Sequence, residues 1–134
     1  MERNERYVYQ ALFTKSEDVI EVSFPDLPGV NTFGSDMEEA IEMAKDALEQ
    51  YLLACEDLGI NPPEPSDLGS IKTAVNESIY VVDVWMPLLR DKENNRAIKK
   101  TLTIPKWLND MAIKQGVNFS HVLQAGLKAA MGIK

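Results

Sequence analysis

Hydrophobic positions near the start of the chain follow the two-residue period of β-strands. Residues 7–14 are rich in aromatic and β-branched side chains, and residues 19–24 alternate apolar with polar positions, so the two segments are predicted to pair as a hairpin. The P-D-L-P-G sequence at residues 25–29 cannot continue a ladder, because proline lacks the N–H donor. Residues 30–33 can form a short third strand.

The period then changes to steps of three and four residues, which is typical of an amphipathic helix. Ser35 or Asp36 can cap its N-terminus, with Glu38 or Glu39 respectively at the spacing of a capping box, and Gly59 can end it. The apolar stripe consists of Met37, Ala40, Ile41, Ala44, Leu48, Tyr51, Leu52, Cys55 and Leu58. We therefore predict one long helix between these caps.

A fourth strand is predicted after a proline-rich connection at residues 61–66. Residues 79–86 are almost continuously apolar, which favours a central position in a sheet. The order strand–strand–strand–helix–strand predicts an α+β domain over residues 1–89, in which one long helix covers an antiparallel sheet. The charged residues 90–96 are predicted to be a linker.

The last segment, residues 97–134, is predicted to contain one strand and two helices. In residues 97–104, Leu102 and Ile104 share one face, and the other face carries Lys99, Thr101 and Thr103. Pro105 stands where a helix can begin, and that helix is expected to run to Gly116. Ser120 is predicted to cap a second helix, whose buried stripe is Val122, Leu123, Leu127 and Met131.

Charge separates these two parts of the chain. Residues 1–93 carry 20 Asp and Glu against 7 Lys and Arg, a net of −13, whereas residues 94–134 carry one acid, Asp110, against 7 bases, a net of +6. Such asymmetry predicts that the basic part meets a phosphate backbone and that the acidic part meets a basic partner.

A single strand has unpaired edges, and about forty residues are near the lower limit for folding alone, so the tail is expected to form a dimer or a higher even-numbered oligomer. Antiparallel pairing of two such strands would bury the predicted dimer core: Leu102, Ile104, Trp107, Leu123 and Leu127. The resulting ribbon can enter the major groove of operator DNA and read bases with Lys99, Thr101 and Thr103. Phosphate contacts are expected from Lys106, Asn118 and Ser120. Taken singly, the same strand pattern is also typical of a solvated sheet edge.

The tail resembles the ribbon-helix-helix family of repressors, through K-K-T-L-T-I-P, the helix start at Pro105, the G-x-N-x-S turn and the second amphipathic helix. The acidic part resembles the N-terminal domain of HicB antitoxins, through Y-x-A-L-F and F-P-D-L-P-G-V-N-T-F-G-S-D-M-E-E-A-I-E-M-A-K-D-A-L. The two resemblances imply a HicB-like antitoxin with a partial ribonuclease-H-like fold. They further imply that it neutralises a small basic mRNA-cleaving HicA toxin and represses its own operon.

An acidic surface could mimic the charge of RNA and block such a toxin. The candidate toxin contacts are Glu17, Asp18, Glu21, Asp26, Glu38, Glu39 and Glu42, although acids on an exposed helix face are more often simply solubilising.

Two other functions stay open from sequence. The first is a ligand-sensing ribbon-helix-helix regulator without a toxin partner. The second is a metal-dependent nuclease, for which Asp83, inside an apolar strand, is the only interesting carboxylate. No paired-carboxylate, P-loop or Rossmann motif is present, so we predict that the chain is not an enzyme and needs no cofactor or metal.

The bulk properties predict a cytoplasmic protein without a membrane partner. No apolar run approaches the ~20 residues that span a bilayer, and the first residues do not resemble a secretory signal. The single cysteine, Cys55, allows neither an internal disulfide nor a multi-thiolate metal site.

Overall fold

A computed structural model of the chain describes residues 4–133. The chain divides into two compact units, Met1–Arg96 and Ala97–Lys134. The first unit contains the strands β1 (Arg6–Lys15), β2 (Ile20–Ser23), β3 (Asn31–Gly34) and β4 (Glu77–Trp85) and the helices α1 (Met37–Leu58) and α2 (Met86–Asn94). The second unit contains α3 (Lys106–Lys114) and α4 (Phe119–Ala130). The predicted α+β class with an antiparallel sheet is confirmed.

The four strands form one antiparallel sheet in the order β3-β2-β1-β4. Alternate residues of each strand point to an inner face, where Tyr9, Phe13, Val22 and Val84 are buried. The helix α1 supplies the facing layer of the core with Ala40, Ala44, Leu48 and Leu52. Sheet and helix thus bury their apolar sides against each other, as an amphipathic helix on a sheet must.

Both ends of α1 have the predicted caps. The side chain of Asp36 accepts a hydrogen bond from the backbone N–H of Glu39 (2.8 Å), and the Glu39 carboxylate accepts one from the backbone N–H of Ser35 (3.1 Å). At the other end Gly59 has φ +67°, and its N–H donates to the carbonyls of Cys55 and Glu56. Asp36, rather than Ser35, is therefore the N-cap, and glycine supplies the left-handed C-terminal position.

Two predictions about the first unit were wrong. β4 lies at the edge of the sheet and not at its centre, since among the described residues it pairs with β1 alone. Residues 90–94 are not an extended linker but the C-terminal part of α2. This helix is held to the unit by Met86 and Leu89, which are buried in the core, and by Arg90, whose guanidinium donates to both carboxylate oxygens of Glu56.

The second unit differs from expectation at one cap. Asn118, not Ser120, is the N-cap of α4, and its side chain accepts from the backbone N–H of His121 (3.1 Å). Ser120 lies inside the helix, where its hydroxyl accepts a hydrogen bond from Gln124 (3.0 Å). Residues 97–105 form neither helix nor strand in the single chain, so the strand predicted for residues 97–104 is not present there, and the segment does not join the four-stranded sheet.

Candidate functional site

The sheet has a second face, pointing away from α1, which we call the outer face. It consists of Arg6, Val8, Gln10, Leu12, Thr14, Glu21, Ser23, Asn31, Phe33, Glu77, Ile79, Val81, Asp83 and Trp85. Among these, Gln10 is buried, and its amide is bonded to the carbonyls of Ser66 and Asp67. The strand register places these residues in cross-strand rows, such as Arg6 with Trp85 and Val8 with Asp83. Val81 and Trp85 are 45% and 44% exposed, and Val8 and Phe33 are exposed too. This face therefore presents apolar side chains to solvent.

A charged group lies across the end of the outer face. The Arg6 guanidinium donates to the Asp83 carboxylate (2.6 Å) and also lies over the Trp85 ring, 5.3 Å from its centroid. Asp83 is more than half exposed at its side chain, which places it on the solvated side of its strand. Among residues 4–133, no three His, Cys, Asp or Glu side chains are grouped so that they could hold a metal ion.

The connection between α1 and β4 runs beside β1 and is held by polar contacts that sequence reasoning missed. Gln10 is only 4% exposed, and its amide donates to the carbonyls of Ser66 and Asp67. The hydroxyl of Tyr9 donates to the carbonyl of Pro63, and its burial raises the pKa of the Tyr9 phenol above its ordinary value. These contacts fix the proline-rich connection as part of the fold. The only sign of these contacts in the sequence was a polar residue, Gln10, within the apolar strand β1.

Six of the seven predicted toxin-contact residues are exposed, and they lie on three elements. Glu17 and Asp18 are exposed in the β1–β2 turn, and Glu21 is exposed on the outer face. Glu38, Glu39 and Glu42 are exposed on α1, in the opposite layer of the unit, where Glu39 also serves in the cap.

Asp26 differs from the other six candidates. It is half-buried, and its carboxylate accepts hydrogen bonds from both the backbone N–H (2.8 Å) and the hydroxyl of Ser66. Asp26 thus ties the P-D-L-P-G turn to the α1–β4 connection, which is a structural task.

The predicted DNA-reading residues are all accessible. Lys99, Thr101 and Thr103 are exposed in the segment before α3, and Asn118 and Ser120 are exposed at the start of α4. Lys106 makes an exposed ion pair with Asp110 (2.7 Å), four residues along the same helix. Exposed pairs of this kind contribute little stability, so the Lys106 ammonium is available to another anion.

The second unit has no buried residue within the part that the structure describes, residues 97–133. Of the five predicted dimer-core residues, only Leu123 is partly covered, whereas Leu102 and Trp107 are 58% and 64% exposed. Ile104 and Leu127 are exposed as well. A unit this rich in exposed large apolar side chains lacks the core that would stabilise it alone.

A family model described as "HicB_like antitoxin of bacterial toxin-antitoxin system" matches residues 9–126, which cover both units. The chain belongs to this HicB-like antitoxin family. The resemblance identified from sequence is thereby confirmed. No curated protein is significantly similar to this HicB-like chain.

Two solved structures resemble the HicB-like chain over nearly its whole length. One is described as a "Toxin-Antitoxin complex from Streptococcus pneumoniae"; it is 26% identical, with a TM-score of 0.59 over 93% of this chain and 99% of its own. The other is the antitoxin HicB of Burkholderia pseudomallei, 19% identical, with a TM-score of 0.55 over 92% of this chain and 98% of its own. At 19% identity, the likeness to the Burkholderia pseudomallei antitoxin shows a shared fold alone.

Family membership also bears on catalysis. Antitoxins of this kind are not enzymes, in agreement with the prediction made from sequence.

Within residues 4–133, every helix is too short or too polar to cross a membrane.

Proposed function

We propose that this HicB-like protein neutralises a small basic HicA-type toxin in the cytoplasm with residues 1–96 and represses its own operon as a dimer through residues 97–134. The observation that carries the second half is the absence of any buried residue in the described part of the second unit. The exposed apolar side chains of the second unit need a partner to cover them. The second unit of another copy of the chain can be that partner, because it is always present at equal concentration.

Pairing of two 97–104 segments would supply that partner. Leu102 and Ile104 alternate with Lys99, Thr101 and Thr103, so an antiparallel ribbon would carry its apolar side chains on one face and its polar ones on the other. The apolar face would be covered by α3 and α4 of both copies, which present Trp107, Leu123 and Leu127 among others. The segment is free for this role, because it takes no part in its own chain's sheet.

The polar face of the ribbon is proposed to read operator DNA. Lys99, Thr101 and Thr103 would reach base edges in the major groove, and the start of α4 would hold a phosphate with its free backbone N–H groups, Asn118 and Ser120. Residues 97–134 contain six lysines, no arginine and one acid, Asp110, which suits a polyanion. Lys106 would join these phosphate contacts.

The toxin half rests on membership of an antitoxin family and on the likeness to a structure described as a toxin–antitoxin complex. Residues 1–96 carry 20 acids against 8 bases. A net charge of this sign favours fast association with a basic, RNA-binding protein.

Operator binding is tested by gel shift with the DNA upstream of the chain's own gene. Lys99→Ala with Thr101→Ala should weaken specific binding by about tenfold or more, since good base contacts contribute about 1–3 kcal/mol each. Lys100→Ala is the matched control, because Lys100 lies on the opposite face of the same segment. Equal loss in both variants would mean that the strand does not read bases.

Neutralisation is tested by co-expressing the chain with the small basic protein of the neighbouring gene. The expected result is rescue of growth and recovery of a stable complex. Deletion of residues 97–134 should abolish DNA binding but leave the rescue intact, because the first unit has its own core. Failure of the full chain to rescue growth or bind that protein would refute the toxin half of the proposal.

A further inference from the structure

The outer face differs from an ordinary solvated sheet face. In antiparallel sheets with one side in solvent, the solvent side is normally polar. Here Val81 and Trp85 are exposed on either side of Asp83 along β4, and the exposed Val8 lies opposite Asp83, diagonal to both. The next row holds Val81 with Gln10, which is buried against Ser66 and Asp67 and bounds this apolar group on that side. A group of large apolar side chains exposed on one face in this way indicates an interaction site.

The neighbouring edge of the sheet is also unprotected. β4 is nine residues long, and within residues 4–133 it pairs with β1 only, so its other edge carries unpaired backbone groups. Natural proteins usually protect such an edge with lysine, proline or a bulge. The only charged residues of β4 are Glu77 and Asp83, and both point to the outer face.

Charge identifies the kind of partner that fits this surface. The apolar residues are bordered by Glu21, Glu77 and Asp83, and the one base of the outer face, Arg6, is already paired with Asp83. A second copy of this unit, with the same excess of 20 acids over 8 bases, would be repelled. A basic protein with an apolar patch would be attracted and then held.

We propose that the outer face, together with the free edge of β4, is the surface on which this antitoxin binds its basic toxin; this rests on the proposed function. Trp85, in the last row of the face, is the anchor, since a large exposed aromatic beside a charged pair has the character of a binding hot spot. The exposed acids of α1, in the opposite layer, contribute to long-range attraction but not to the contact.

The test measures toxin binding by surface plasmon resonance, with the full-length chain and the purified small basic protein of the neighbouring gene. Trp85→Ala should raise the dissociation constant about tenfold or more, mainly through faster dissociation. Val8→Thr with Val81→Thr should raise it several-fold, and these variants keep the β-branched shape at two exposed positions, so the fold is preserved. Thermal unfolding of each variant checks this.

The matched control is Glu38→Gln with Glu42→Gln on α1. These changes should slow association slightly and leave dissociation unchanged, because they alter only long-range attraction. If the wild-type chain binds toxin, but the outer-face variants bind as tightly as wild type, the inference is overturned while the proposed function stands. A changed oligomeric state with unchanged toxin affinity would assign the face to a second copy and also overturn it. Absence of binding by the wild-type chain would refute the proposed function itself.

Discussion

Gly34 is predicted to be required by the contact between β3 and the start of α1. It is the glycine of the F-G-S-D sequence that carries part of the family resemblance. A Cβ atom at this position would lie 2.4 Å from the backbone nitrogen of Ala40, 2.7 Å from its Cα and 2.9 Å from the carbonyl carbon of Glu39. All three are backbone atoms, so no side-chain rotation can relieve the overlap.

The cost of Gly34→Ala follows from this geometry. The first turn of α1 would have to retreat by about 1 Å to restore ordinary van der Waals distances. Such a retreat would loosen the packing of Ala40 and Ala44, which are fully buried. Overpacking costs typically 1–3 kcal/mol, and because backbone must move we expect about 3 kcal/mol.

Urea denaturation followed by circular dichroism measures the change in the free energy of unfolding of the first unit. Gly126→Ala is the matched control, because the same methyl group added inside α4 meets nothing within 4 Å. That change should leave the free energy of unfolding of the first unit unchanged, since Gly126 lies in the second unit and alanine favours helix there. A Gly34→Ala variant within about 0.5 kcal/mol of wild type would refute the close approach of β3 and α1.

Three further predictions concern single side chains. Arg90→Met should destabilise the first unit by about 3 kcal/mol, because the largely buried Glu56 carboxylate loses its guanidinium partner. Adding Glu56→Gln to this variant should recover part of the lost stability. Thermal unfolding measures both changes. Asp36→Ala should cost about 1 kcal/mol in urea denaturation, because the N–H of Glu39 loses its acceptor, whereas Asp36→Asn should be nearly neutral. Leu102→Lys should convert the proposed dimer to a monomer in sedimentation and abolish the proposed operator binding, while the thermal transition of the first unit stays unchanged. A dimeric variant would contradict the proposed ribbon.

Elements with local signals were predictable from sequence. α1 was correctly bounded because its three-to-four-residue period and both of its caps lie within the segment itself. The hairpin of β1 and β2 and the helix start after Pro105 have equally local causes. The division of charge at the start of the tail also follows from sequence, and the structural division after Arg96 falls close to it.

Tertiary structure decided what depends on distant partners. Continuous apolarity of β4 could not distinguish a central strand from an edge strand, because its place is set by pairing with β1, about seventy residues earlier. The same pairing created the outer face, and the contact between Arg90 and Glu56 turned a charged segment into a docked helix. Asp26, which sequence placed on a binding surface, is held by Ser66, forty residues away.

Sequence by itself therefore determined the family, the α+β class and the opposite charges of the two parts, because composition and short periods encode them. Tertiary structure alone decided which apolar residues remain in solvent, since burial depends on what the rest of the chain covers. The exposed residues of the outer face and of the second unit are accordingly the surfaces on which we propose that partners bind.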